Sequence, residues 1–173
     1  MDRMRRRRGI GLQLLLGLTL ATPIHAGEVS MAGGAVRFHT PDAWQPILET
    51  QGDPEVRVFQ VPDPSPTAGH ALARVTVTVK QVANLAEFQA FVTGALHKAQ
   101  SLDGYRAGAN PAPNDYAYEA REYGVAFQYR ERYWLKDNHA IQLRCVRPQQ
   151  SQAGAAWAAA FDRGCDDIAA ALQ

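Results

Sequence analysis

Only two cysteines occur in the 173 residues. They do not form a CxxC pair, which excludes a thioredoxin-like redox motif and a zinc knuckle. Long apolar runs are equally scarce. Ile10–Ala21 is the single one, too short for a comfortable membrane anchor and without a second to make a multi-span protein. The chain has no GxSxG, HExxH, P-loop or GxGxxG. His39, His70, His97 and His139 are scattered and form no i, i+4 pair, so no metal site and no cofactor are expected. Of the carboxylate pairs Asp166-Asp167 and Glu119/Glu122, the first reads as surface charge, since adjacent helix positions do not face each other, and no acid–base dyad is expected without a pocket to shift a pKa.

The composition that remains is globular, with 46% hydrophobic and 20% charged residues, and its length suits one domain. The near-neutral total hides an asymmetry. Arg3, Arg5, Arg6, Arg7 and Arg8 sit with Asp2 at the N-terminus; without the first 26 residues, 13 basic and 16 acidic groups remain, a net charge of −3. A nucleic-acid binder is therefore not expected. The basic start, the 12-residue apolar run, the break at Thr22-Pro23 and the small Ala26 read as an export signal over 1–26, cleaved after Ala26. The mature domain, 27–173, is thus expected in the periplasm or outside the cell, with no stable membrane span after cleavage.

In that compartment Cys145 and Cys165 are expected to pair, closing a loop that stabilises by about 3 kcal/mol; two buried thiols are the alternative. Two periodicities support pairing. Ile141, Leu143 and Cys145 share one face of a strand, and Trp157, Phe161, Cys165, Ile168 and Leu172 share a stripe on a helix from about 153 to 172. Elsewhere, 35–39, 55–61 and 73–80 read as strands, the last with Val75, Val77 and Val79 facing one way. Asn84 and Glu87 open a helix running to about 100. Residues 115–147 form three antiparallel strands with turns at Tyr123-Gly124 and Asp137-Asn138-His139; burial favours a three-residue loop at the second, setting Tyr133 against Leu143. Strands, helix, strands, helix give an α+β domain, an antiparallel sheet with two packed amphipathic helices.

The stretch Val36-Arg37-Phe38-His39-Thr40-Pro41-Asp42-Ala43-Trp44 resembles the aromatic-x-x-Pro-x-x-Trp opening of PsbP/Mog1/DcrB-like domains. The order of elements follows that pattern through residue 173. The resemblance implies a PsbP/Mog1-like layered sandwich and a non-enzymatic assembly factor, chaperone or adaptor that binds another protein.

Residues on the polar face of the long hairpin are the candidate partner-binding set: Arg130, Arg132, Trp134 and Arg144. In the favoured register Arg132 faces Arg144, and like charges so placed need neutralising. A partner supplies the counter-charge, or Asp115 and Glu119 do so across the turn at 123–124, the solution that alternation favours. Glu131 stands out as an acid on an aromatic strand face, either bonded to a tyrosine hydroxyl or buried for function. Loops 62–70 and 104–114 are further candidate contacts. Three narrower functions are compatible with an exported domain: an immunity protein against a secretion-system toxin, an envelope hydrolase, and a lipid or small-ligand carrier. The carrier requires an apolar cavity between the first helix and the sheet.

Overall fold

Residues 27–173 are described by the computed structural model; the expected signal over 1–26 lies outside the described residues. Alternating side chains create two kinds of strand face, and both faces of the sheet are put to use. Seven antiparallel strands lie in the order β3-β4-β5-β9-β8-β7-β6. They are β3 (Gln45–Thr50), β4 (Glu55–Gln60), β5 (Arg74–Gln81), β6 (Arg106–Ala107), β7 (Asp115–Glu122), β8 (Val125–Lys136) and β9 (His139–Pro148). A separate hairpin, β1 (Glu28–Met31) with β2 (Val36–His39), precedes them. The helices are α1 (Leu85–Gln100) and α2 (Gly154–Leu172).

On the first face, Val75, Val77, Val79, Ile141 and Leu143 lie under α2 and the β1–β2 hairpin, which contribute Phe161, Ile168, Leu172, Met31 and Phe38. On the second face α1 lays Phe88 and Val92 on Tyr133 and Ala140. The space beneath α1 is filled by these side chains. The N-terminus of α1 is closed as its residues dictate: Asn84 Oδ1 accepts from the Glu87 N–H at 3.0 Å, and Glu87 Oε2 accepts from the Ala83 N–H at 2.8 Å. The result is an α+β domain with helices on opposite faces of an antiparallel sheet. Among the described residues, no helix is long and apolar enough to cross a membrane.

Cys145 and Cys165 are joined, with Cα atoms 6.4 Å apart. The same helix comes close at Gly164, where a Cβ would sit 2.6 Å from Trp44 Cζ2 and 3.3 Å from Pro41 Cγ. Trp44 cannot yield easily, because its ring stacks on Phe161. Gly164→Ala should therefore cost about 1–3 kcal/mol through overpacking, seen as a lower thermal midpoint by circular dichroism. An unchanged midpoint would show that the indole has room to move.

One register differs from the sequence-based expectation. Lys136 pairs with His139, so the loop has two residues, and Arg132 rather than Tyr133 lies opposite Leu143. Asp137 and Asn138 both take positive φ, 47° and 59°, the conformation of a two-residue type I′ turn that Asp and Asn tolerate. This register is tolerated because the arginines it turns inward are paired, Arg130 with Asp115 and Arg132 with Asp166, although the buried Nε of Arg132 has no hydrogen-bond partner among the described residues. The sequence-based expectation contains neither β1 nor β3: β1 alternates but over only four residues, and β3 has no apolar alternation.

Candidate functional site

The one-residue change of register divides the candidate set between the two faces of the sheet, since it moves every side chain of one strand relative to its neighbour. Arg130, Arg132 and Trp134 stand on the α2 side. Arg144 stands on the α1 side, opposite Glu131, so the expected Arg132–Arg144 juxtaposition does not occur.

On the α2 side, Trp134 packs against the core. Arg130 and Arg132 edge a groove of about 530 Å3 beside the helix, with the disulfide among its lining. Their charge is already met. Arg130 holds Asp115 through two nitrogens, at 3.0 and 2.7 Å, and reaches Asp166 at 3.1 Å. Arg132 also bonds Asp166. The hydrogen bond to Asp115 raises the Arg130 pKa, with burial opposing it. Neutralisation thus comes from Asp115, as alternation suggested, and from α2. Glu119 turns instead to Arg106 and Gln149.

On the other face, Glu131 is fully buried and gathers four donors. Tyr118 Oη donates at 2.5 Å, Gln142 Nε2 at 2.8 Å, Arg144 Nε at 2.7 Å, and Tyr133 Oη completes the set. Burial, then the Glu131 charge, pushes the Tyr118 and Tyr133 hydroxyls well above the usual phenol range. Burial pulls the Arg144 pKa down, but attraction to Glu131 outweighs it and the net shift is upward. A carboxylate so completely occupied is an anchor for Arg144, whose side chain remains 35% exposed.

Arg144 ends a row that crosses the sheet. Strand pairing sets Arg144 beside Thr76, Thr76 beside Val58, and Val58 beside Leu48. A second row runs Thr50, Val56, Thr78, Gln142. The helix α1 packs over β8 and β9, and Val56, Val58, Thr76 and Thr78 remain partly exposed. At the sheet edge, β3 is exposed along its whole length, with Leu48 at 48% and Ile47 at 46%. A bulge at Ile47 and Pro46 interrupt the edge ladder, features that discourage another strand from adding there. Side chains, not backbone, are what this surface offers.

No family model and no curated protein matches the chain.

Arg144 is visible in the sequence as a candidate, but its setting is not. Leu48, Val56, Val58 and Thr76 become one surface only through pairings of β3, β4, β5 and β9, and no local pattern announces that. Loop 62–70, another candidate, is fastened to the start of α2. Asp63 Oδ1 accepts from Ser65 Oγ at 2.6 Å, Asp63 Oδ2 from Ser151 Oγ at 2.5 Å, and Thr67 Oγ1 accepts from the Gln152 N–H at 3.1 Å. Burial raises the Asp63 pKa, but the hydroxyls of Ser151 and Ser65 lower it further, and the net shift is downward. A depressed carboxylate stabilises the fold above its unfolded pKa, and that contribution vanishes as pH falls through the folded value. Acidification below about pH 4 should loosen this clamp. The midpoint of Asp63→Asn should depend less on pH across that acid range than that of the unaltered chain; parallel curves would remove Asp63 from the account.

Proposed function

We propose that this chain is an exported, non-enzymatic protein-binding domain of the bacterial envelope, of the assembly-factor, chaperone or adaptor kind, with PsbP/Mog1-like layering. Helices on opposite faces of an antiparallel sheet support the layering. The disulfide supports an oxidising compartment. The observation that carries the binding role is the row Leu48–Val58–Thr76–Arg144 on the uncovered part of the sheet. Apolar side chains partly open to water lie in line with Arg144, whose guanidinium Glu131 holds from beneath, and Arg is among the residues enriched at interface hot spots. The filled space under α1 counts against a carrier, and the saturated oxygens of Glu131 count against an acid–base role for it.

The proposal is tested by affinity capture from periplasmic extract, comparing the intact chain with Leu48→Lys/Val58→Lys. Both positions are surface-facing, so the variant should stay folded. A protein retained by the intact chain and lost from the variant is the expected result. Equal retention by both would move the binding role elsewhere, to the groove beside α2 or to loop 104–114.

A further inference from the structure

The open face has a charge pattern that selects its partner. Arg74, Lys80 and Arg144 are its cations. Lys80 makes no ion pair among the described residues, and the Arg144 side chain is partly exposed while its counter-ion, Glu131, is fully buried. Glu122, the other carboxylate that the strands β4, β5, β7, β8 and β9 carry on this face, is occupied by Arg74 and by the Tyr129 hydroxyl, and Glu87 of α1 is engaged by the Ala83 N–H at the helix start. A molecule approaching the face therefore meets positive charge whose matching negative charge is hidden or engaged.

We infer that the partner meets this face with an acidic protein segment, one of whose carboxylates takes the free edge of Arg144 while an apolar side chain settles on Val58 and Leu48. This rests on the docking role proposed above. The guanidinium is planar and has five N–H donors; Nε is spent on Glu131, leaving the donors of the two terminal amino groups for a bidentate carboxylate. Because Glu131 fixes the orientation of that fork, little side-chain freedom remains to be lost on binding. Neighbouring strands lie about 4.8 Å apart, so the Cα atoms of Val58 and Arg144, two strands from each other, are about 10 Å apart. The recognition element thus pairs Asp or Glu with a Leu, Ile, Val or Phe that reaches a strand two away.

Replacing Arg144 would strand Glu131, so the test acts on Thr76, the register neighbour of Arg144. Thr76→Glu places a carboxylate where it can fill the free edge from within; Thr76→Gln has the same length without the charge. A displayed library of random peptides is selected on the intact chain, and the winners are titrated against both variants and against Val58→Lys. The expected winners combine an acidic with an apolar residue, weaken with added salt, lose about tenfold or more in affinity for Thr76→Glu, and change by less than about threefold for Thr76→Gln. Winners that lack acidic residues, or that ignore Thr76→Glu while failing on Val58→Lys, would overturn the acidic partner but keep the docking face. Winners indifferent to all three substitutions, or a selection with no winners, would overturn the docking face itself.

Discussion

Glu131→Ala should be the most damaging single substitution in the domain. The alanine removes the acceptor for Tyr118, Tyr133, Gln142 and Arg144 together, in a place with no solvent to replace it. Breaking a buried pair by deleting one partner costs about 3–5 kcal/mol. Arg144 can swing part of its head toward water, which favours the lower end, about 3 kcal/mol. Against a total stability of about 5–15 kcal/mol, that is a large share. Denaturant unfolding should show it as a reduced midpoint with an unchanged slope. Glu131→Gln preserves the shape and should cost less, yet it removes the negative charge. The Tyr118 and Tyr133 hydroxyls should then ionise at lower pH than in the unaltered protein, as read from phenolate absorbance. The sign for stability follows. A phenol whose pKa is raised in the folded state stabilises below its unfolded value, about 10, and that contribution is lost as pH rises beyond it. Alkaline unfolding that is the same in Glu131→Gln and the unaltered chain would separate Glu131 from the tyrosines.

Removing the disulfide should have a comparable effect. The bond joins β9 to α2 across a separation of 20 residues, and the chain-entropy estimate for a loop of that size is about 3 kcal/mol. Cys145→Ala/Cys165→Ala is the suitable variant, since alanine leaves no polar atom in a buried site. Ion pairs from Arg147 to Asp162 and from Arg130 and Arg132 to Asp166 also hold the helix. They involve exposed carboxylates, and such pairs contribute little each. The double variant should therefore remain folded but unfold at lower denaturant, and reduction of the unaltered chain by dithiothreitol should reproduce the change. A loss below about 1 kcal/mol would mean that Phe161, Ile168 and Leu172 hold α2 without covalent help.

These two buried features were unequally visible in the sequence. The cysteine pair was legible because a period of two in β9 and a helical period in α2 both pointed their sulfurs inward. The valines of β5 and the Asn84–Glu87 cap were local signals of the same quality. The setting of Glu131 was half legible. Its position on an aromatic strand face suggested a tyrosine partner, but Arg144 and Gln142 reach it only in the two-residue turn register. That register is set by the left-handed conformations of Asp137 and Asn138, which outweighed the crude rule of keeping charge away from apolar partners. The same slip divided Arg144 from Arg130, Arg132 and Trp134. The exposed edge was missed for a different reason: β3 has water around every residue and thus no burial pattern to betray a strand.

Hydrogen exchange on the captured complex bears most directly on the claim that the uncovered part of the sheet is the working surface. Amides of β3, β4 and β5 that exchange in the free domain should become protected when the partner is bound, while those flanking the groove beside α2 keep their free-state rates. Protection confined to the α2 side, with the Leu48–Arg144 row unchanged, would contradict it.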